Sequence, residues 1–215
     1  MTKSVNQNAM AAFRSILGQS GCIEDPDLIA PWLKDWRGLY EGAAPALLAP
    51  DSTEQVAAVV KIASEHGIAL VPQGGNTSMV GGAPPPADGR ALILSLRRMN
   101  RIRSIDPAAG IAVCEAGLIL QTLHEAALAQ GMRFPLSLAA KGSATLGGLA
   151  STNAGGTQVL RFGTMRGLTL GVEAVLPDGA IHDGLAPLKK DTRGYDPNQL
   201  LIGAEGTLGV ITAVA

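Results

Sequence analysis

The 215-residue sequence predicts an α+β fold in two subdomains: a small parallel βαβ unit, then a mostly antiparallel sheet flanked by helices. Three observations predict it. Apolar runs at residues 46–49 and 68–71 bracket a helix-spaced apolar set, Val56, Val59, Val60 and Ala63, which reads as strand, helix and strand. Such a unit joins parallel strands through a right-handed crossover. Later, Leu170, Val172, Ala174 and Leu176 alternate, and Pro177-Asp178-Gly179 supplies a turn before Ile181, the pattern of an antiparallel hairpin. Finally, hydrophobic residues are 47% and aromatics 3% of the chain, with 27 Gly and 13 Pro, so the core is aliphatic and loops are plentiful.

Taken in order, residues 9–17 read as a short amphipathic helix with Gly18 and Gly21 as stops. Residues 25–42, DPDLIAPWLKDWRGLYEG, carry both tryptophans without clear periodicity and are expected to pack as an arm. Ser52 followed three residues later by Gln55 has the form of a capping box, and Gly67 closes that helix. Residues 91–96 form the next apolar run, and Ile102, Ile105 and residues 111–114 suggest shorter strands. Residues 118–130 spell a helix with Leu120, Leu123 and Ala127 on one face and Gly131 as terminator. The change of pattern puts a seam near residue 100. The divisions expected are a helical arm at 1–40, a first subdomain at 41–105 and a second at 106–215.

A formal net charge of −1 with no basic block removes the electrostatic footprint of a nucleic-acid binder, and no polybasic membrane patch is present. Cys22 and Cys114 are far apart and outside any CxxC or Cys/His pattern, so buried free thiols are expected. Residues 1–13 lack the apolar core of a signal peptide, and no later apolar run is long enough for a transmembrane segment. A soluble cytoplasmic protein is the expectation, with mean hydropathy +0.22.

Three glycine-and-hydroxyl segments carry the candidate chemistry. Residues 71–82, VPQGGNTSMVGG, leave a strand, and successive amides in such a turn can form a concave anion site. With no Lys or Arg inside, a phosphate there would be held by amide and hydroxyl donors; a plain glycine-rich surface loop is the other reading. Residues 142–156, GSATLGGLASTNAGG, are denser, with Ser143 and Thr145 placed to cap a short helix carrying Leu146 and Leu149. A Walker A loop needs Lys where Gly148 stands, and GxGxxG is absent, because Gly203, Gly206 and Gly209 are spaced by three. Close packing of small residues accounts for part of these glycines, but not for the interleaved Ser, Thr and Asn. Residues 202–212, IGAEGTLGVIT, begin as a loop and end as a β-branched strand. Three such segments spread along the chain suggest one long ligand touched at several points.

PQGGNTSMVGG, GSATLGGLASTNAGG, RFGTMRGLTLGVEAVLPDG, KKDTRGYD and IGAEGTLGVIT, in that order, resemble the FAD-binding (PCMH-type) domain of the FAD-linked oxidases of the vanillyl-alcohol oxidase type. Asp35, Trp36, Gly38 and Tyr40 make the D-2-hydroxyglutarate and D-lactate dehydrogenase branch the nearest in pattern. The resemblance implies a two-subdomain FAD-binding domain in which the first two loops embrace the FAD pyrophosphate and ribityl chain and the third segment runs beside the adenosine and ribityl portion. The cofactor-binding residues it implies are Pro72, Gln73, Gly74, Gly75, Asn76, Thr77 and Gly81 in the first loop. In the second they are Gly142, Ser143, Thr145, Gly147, Gly148, Thr152, Asn153, Gly155 and Gly156, and in the third Glu205, Gly206 and Ile211. Many members tether flavin through a His of the first loop; with no His or Cys beside Asn76, noncovalent FAD is expected.

The resemblance also implies oxidation of a D-2-hydroxy acid to the 2-oxo acid, with the C2 hydride passing to flavin and the electrons then to a carrier protein, a quinone or oxygen. The substrate clamp, metal ligands and catalytic His of that branch lie in a substrate domain beyond the flavin domain, so no catalytic or metal-binding residue is expected here and the chain alone is expected to be inactive. Two other readings stay open: a noncatalytic FAD-binding module working with a partner chain, and a flavin reductase of the cell-wall precursor type. His66, His124 and His182 are isolated and read as ordinary surface or core residues. Arg161, Arg166 and Lys190 stand near the motifs and face either flavin or substrate or, in the simpler reading, solvent.

Overall fold

Side-chain caps start the N-terminal helices of the computed structural model, which describes residues 6–186 and 188–215. Asn6 accepts from the Asn8 N–H to open α1 (Gln7–Gly21), and Asp25 accepts from the Asp27 N–H to open α2 (Pro26–Ile29), where Pro26 suits the first helical position. Ser52 Oγ accepts from the Gln55 N–H at 3.2 Å to open α3 (Thr53–His66). Gln55 Oε1 reaches back one residue further than in a standard capping box, to the Asp51 N–H at 3.0 Å. α1 runs past Gly18, which at φ +65° kinks it without ending it, and stops at Gly21, the second of the two expected stops.

Gly67 takes φ +63° at the end of α3, and the Ile68 N–H bonds back to the Ala63 carbonyl at 2.8 Å. Ile68 is thus committed to the helix end. The strand expected at 68–71 therefore moves on to β3 (Leu70–Gln73). With β1 (Cys22–Ile23), β2 (Leu47–Leu48) and β4 (Leu92–Ser95), it forms a four-stranded sheet in the order β1-β2-β4-β3. β2 and β3 both run parallel to β4, while β1 is antiparallel to β2. The two strands of the βαβ unit are therefore not neighbours. β4 lies between them because all four of its residues are buried, the condition of a strand covered on both faces. Phe13 and Leu17 from α1 and Val56, Val59 and Val60 from α3 pack against Leu48, Leu92 and Leu94.

The second sheet holds β5 (Ile102–Asp106), β6 (Ile111–Glu115), β7 (Val172–Val175), β8 (Ile181–Asp183) and β9 (Val210–Val214), in the order β5-β6-β9-β7-β8 with every pairing antiparallel. Its core gathers Leu120 and Leu123 of α4 (Leu120–Ala129), Leu146 and Leu149 of α5 (Leu146–Ser151), and Val172, Ala174, Ile211 and Val214. Short helices α6 (Val159–Phe162), α7 (Met165–Leu168) and α8 (Asn198–Leu201) fill the connections. Cys22 and Cys114 are both buried and free, and burial pushes the Cys114 thiol up to about 12. Among the described residues, no helix is long and apolar enough to cross a membrane.

Glu173 of β7 ties the two sheets together. Its carboxylate accepts from Thr53 Oγ1 of α3 at 2.6 Å, from Thr212 Oγ1 of β9 at 2.8 Å and from both terminal nitrogens of Arg103 on β5 at 2.9 and 3.1 Å. Glu115 stands next to this cluster and takes Arg101 NH2 at 2.8 Å. For both acids burial is the largest single effect and opposes the charge, but the hydrogen bonds and arginine charges together outweigh it and hold the carboxyls below the ordinary carboxylate value. A folded pKa below the unfolded one adds stability above the unfolded pKa, and that stability is lost as pH falls through the folded pKa. Glu173→Gln is expected to lower stability by about 1–2 kcal/mol at neutral pH. Urea denaturation from about pH 6 to about pH 3 checks the sign: the wild type loses stability more steeply than the variant, and equal slopes contradict the assignment.

Candidate cofactor site

The first glycine loop leaves the carboxyl end of β3, where open parallel sheets receive ligands. Gln73, 3% exposed, holds the loop's two flanks together: Nε2 donates to the Trp32 carbonyl at 3.0 Å and the Ala83 carbonyl at 2.9 Å. Asn76 sits at φ +52°, a left-handed conformation that Asn tolerates better than most residues, and its Nδ2 donates to the Lys34 carbonyl at 2.7 Å. Both side-chain oxygens, Gln73 Oε1 and Asn76 Oδ1, are buried without a partner. Among the described residues the N–H groups of Gly75, Asn76 and Thr77 also meet no protein acceptor.

The second loop leads into α5. Here the expected cap is absent: Thr145 precedes the helix, but its hydroxyl caps nothing and is buried without a partner. The amides of the helix's first two residues are taken by main chain instead. Leu146 N donates to the Leu118 carbonyl at 2.9 Å and Gly147 N to the Ala116 carbonyl at 2.8 Å. Gly147 allows that approach, since a Cβ there would lie 2.5 Å from the Ala116 Cβ. The two loops then meet through glycine. A Cβ on Gly75 would overlap the Ser143 carbonyl oxygen, and one on Gly74 would overlap Thr145 Oγ1.

The third segment closes on both. Gly203 N and Glu205 N donate to the Ala150 and Ser151 carbonyls at the end of α5, at 3.0 and 2.9 Å. Glu205 takes φ +53°, and Gly206, at φ +80°, passes so near Pro72 that a Cβ would lie 2.9 Å from its ring. Between the three segments lies a cavity of about 560 Å³.

Pro72, Gln73, Gly74, Gly75, Asn76 and Thr77 line this cavity, with Thr145, Gly147, Gly148 and Thr152 across from them and Glu205, Gly206 and Ile211 from the third segment. The other expected residues lie off its wall. Gly81 packs under the Tyr40 ring, the Ser143 carbonyl abuts Gly75, and Gly142 faces Gln121. Asn153 Oδ1 accepts from the Arg166 N–H at 3.0 Å, while Gly155 rests on Val159 and Gly156 on the Ser137 carbonyl. Sequence reasoning missed the apolar wall, made by Leu96, Ala116, Leu138, Leu149 and Val210 among others. Leu96 was legible, since it follows β4 directly and so shares the carboxyl edge with Gln73.

The residues on the wall suit FAD. Free loop amides suit a pyrophosphate, and aliphatic side chains suit aromatic rings. Among the described residues no Lys, Arg or His lines the cavity, and the donors there are amides and hydroxyls. Arg166 is neither free nor solvated: its guanidinium donates to the Gln199 carbonyl at 2.7 Å, to Gln199 Oε1 at 2.9 Å and to the Ile202 carbonyl, fixing the entry to the third segment. Arg161 and Lys190 are exposed. His124 Nε2 donates to the Leu136 carbonyl at 2.8 Å, His182 Nε2 lies 3.0 Å from Asn198 Oδ1, and His66 Nδ1 lies 3.5 Å from Asn6.

A family model described as an FAD binding domain matches residues 44–184. The chain is 44% identical over 211 residues to the mitochondrial D-2-hydroxyglutarate dehydrogenase of Danio rerio, covering 98% of this chain and 39% of that protein. It is 40% identical over 215 residues to the D-2-hydroxyglutarate–pyruvate transhydrogenase of Saccharomyces cerevisiae, covering 99% and 43%. The chain thus spans about two fifths of these relatives. A solved alkyldihydroxyacetonephosphate synthase superposes with a TM-score of 0.85 at 21% identity, over 97% of this chain and 39% of that one, which shows the shared fold. These findings bear out the two-subdomain FAD-binding fold of the vanillyl-alcohol oxidase type and correct one expectation. Relatives such as the Danio rerio protein are named as mitochondrial, which overturns the cytoplasmic reading.

The glycine contacts make a sharp prediction. Gly75→Ala forces the two loops apart and costs about 1–3 kcal/mol, together with loss of FAD binding. Gly167→Ala, with open space around its Cβ and no positive φ, leaves both unchanged. Thermal melts and flavin fluorescence titrations of the two variants check this; normal FAD binding by Gly75→Ala contradicts it.

Proposed function

The chain belongs to the FAD binding domain family, and from that premise we propose that it is the flavin-holding part of a dehydrogenase that oxidises a D-2-hydroxy acid to the 2-oxo acid. The observation that carries this is 44% identity across 98% of the chain to a relative named D-2-hydroxyglutarate dehydrogenase. FAD, when bound, supplies the acceptor for the two electrons and hydride of that oxidation. The chain's own residues bind and orient it. The free amides of Gly75, Asn76 and Thr77 are the donors for the pyrophosphate, and the glycines at 74, 75, 147 and 206 let the three segments close to main-chain distance. Leu96, Ala116, Leu138 and Val210 supply the apolar surface that excludes water.

The site we propose is the full set expected from the sequence, with the cavity-lining residues in contact and Gly81, Gly142, Ser143, Asn153, Gly155 and Gly156 shaping the loops behind them. The flavin we propose is noncovalent, a reading supported by a wall that offers no His, Cys or Tyr among the described residues. The division proposed is an arm at 1–40 and subdomains at 41–105 and 106–215. What supports the seam is that strands of one sheet end at Ser95 and those of the other begin at Ile102. The relatives' names support a mitochondrial setting.

The test is anaerobic mixing of the flavin-loaded complete gene product with D-2-hydroxyglutarate and D-lactate, each beside its L enantiomer. The D acids are expected to bleach the oxidised flavin absorbance and the L acids to leave it. No bleaching by any D-2-hydroxy acid rejects the dehydrogenase reading. Acid precipitation is expected to release all the flavin into the supernatant, and flavin retained in the pellet rejects noncovalent binding.

A further inference from the structure

The outer turn of the arm, residues 34–41, does not line the cavity, yet it is tightly built around one carboxylate. Asp35 is 4% exposed. Its Oδ1 accepts from the N–H groups of Leu39 and Tyr40 at 2.6 and 2.7 Å, and its Oδ2 accepts from that of Arg37 at 3.2 Å. The Asp35 N–H donates to the Tyr40 carbonyl at 3.0 Å, and Lys34 pairs with Glu41 in antiparallel fashion across the base of the turn. A carboxylate taken out of water costs free energy unless other hydrogen bonds replace those of water. Here the replacements all shape one turn. That turn encloses no core, since Trp36 and Leu39 at its tip are exposed. Its shape therefore serves what it touches.

What it touches is the first glycine loop. Among the described residues, the main chain of 75–82 makes no main-chain hydrogen bond. Two hydrogen bonds reach this stretch from outside it, and both come from the arm. Asn76 Nδ2 donates to the Lys34 carbonyl at 2.7 Å, and the Arg37 guanidinium donates to the Met79 carbonyl. The Tyr40 ring lies against Gly81, so near that a Cβ there would stand 2.8 Å from it. Gly75 is packed on the second loop, so the inner end of the stretch is held by glycine contact and the outer part, residues 76–81, by the arm. Residues 76–80 all line the cavity. Resting on the reading that this cavity holds FAD, we propose that residues 34–41 are a strap on the outer part of the first loop and that Asp35 is its positioning residue. The Asp35 carboxylate is turned to the amides of its own turn; it acts by aiming Lys34, Arg37 and Tyr40 at Asn76, Met79 and Gly81. A segment with no ladder of its own opens at little cost. The strap therefore sets how long the wall stays closed and how slowly FAD leaves.

The test is the rate at which FAD leaves the flavin-loaded complete gene product, followed by flavin fluorescence with a scavenger of free FAD and needing no turnover. Asp35→Asn turns one accepting oxygen into a donor, and FAD is expected to leave about tenfold faster. Arg37→Ala removes the tie to Met79 with Asp35 in place, and FAD is expected to leave about threefold faster, with the melting temperature of the cofactor-free protein unchanged. In the double variant the two effects fall short of their product, because Arg37 depends on the turn that Asp35 sets. Leu39→Ala keeps the N–H bonded to Asp35 and loses only an exposed side chain, so its rate stays that of the wild type. Should Asp35→Asn fail to fold, Arg37→Ala decides alone. A wild-type rate in either strap variant overturns the proposal, as does an equal acceleration by Leu39→Ala or a rate change in Arg37→Ala that is matched by a lower melting temperature of the cofactor-free protein. Failure of the wild type to hold FAD at all overturns the cofactor reading itself, a distinguishable result.

Discussion

The site depends on one close approach, that of Gly74 and Gly75 to Ser143 and Thr145. Main chain meets main chain there with no room for a Cβ, so the loop after β3 and the loop before α5 act as a single wall although they are about 70 residues apart in sequence. The third segment is held to the same wall by hydrogen bonds to the end of α5 and by Gly206 against Pro72. Glycine at these positions therefore serves proximity more than flexibility. Of the described non-glycine residues in left-handed conformations, Asn76 and Glu205 lie on the cavity and Asn153 behind it. Strained backbone at a ligand wall is a recurrent feature of binding sites.

A wall assembled from two sheets needs those sheets held in register. Glu173 does this with four hydrogen bonds to α3, β5 and β9, and the neighbouring Glu115 ties in Arg101. A buried carboxylate on Glu115 and a partly buried one on Glu173 are tolerable because each is paired and hydrogen-bonded. Their position behind the cavity, away from its lining, gives them a structural task, and on the described wall the one carboxylate is that of Glu205. Arg166 plays a like part on the other side, pinning the carbonyls of Gln199 and Ile202 so that the third segment enters at a fixed angle.

Much of this was legible in the sequence. Helix-spaced valines, the Ser52–Gln55 pair and Gly67 gave α3 nearly to the residue, and the alternation around Val172 with its Pro-Asp-Gly turn gave the β7–β8 hairpin. Glycine runs marked the three segments of the cavity because close approach leaves that compositional trace. What stayed hidden was long-range. Strand order escaped because β4 enters between β2 and β3 from a run that looks like any other apolar strand. Thr145 looked like a cap, since nothing local says that its hydroxyl stays unpaired or that the carbonyls of Leu118 and Ala116 take the amides of Leu146 and Gly147. Arg166 looked solvated because its partners lie 33 and 36 residues away. Glu115 and Glu173 did leave a sign, a carboxylate inside an apolar strand, which a search for buried ion pairs would have caught.

The central claim is that three distant segments build one cavity for one FAD. A flavin absorbance titration of the purified protein, stripped of any co-purified cofactor, tests it most directly. The account predicts saturation at one FAD per chain, with the structured, shifted bands of a flavin held out of water. Absence of saturable binding, or a bound flavin whose spectrum matches free FAD in solution, would contradict it.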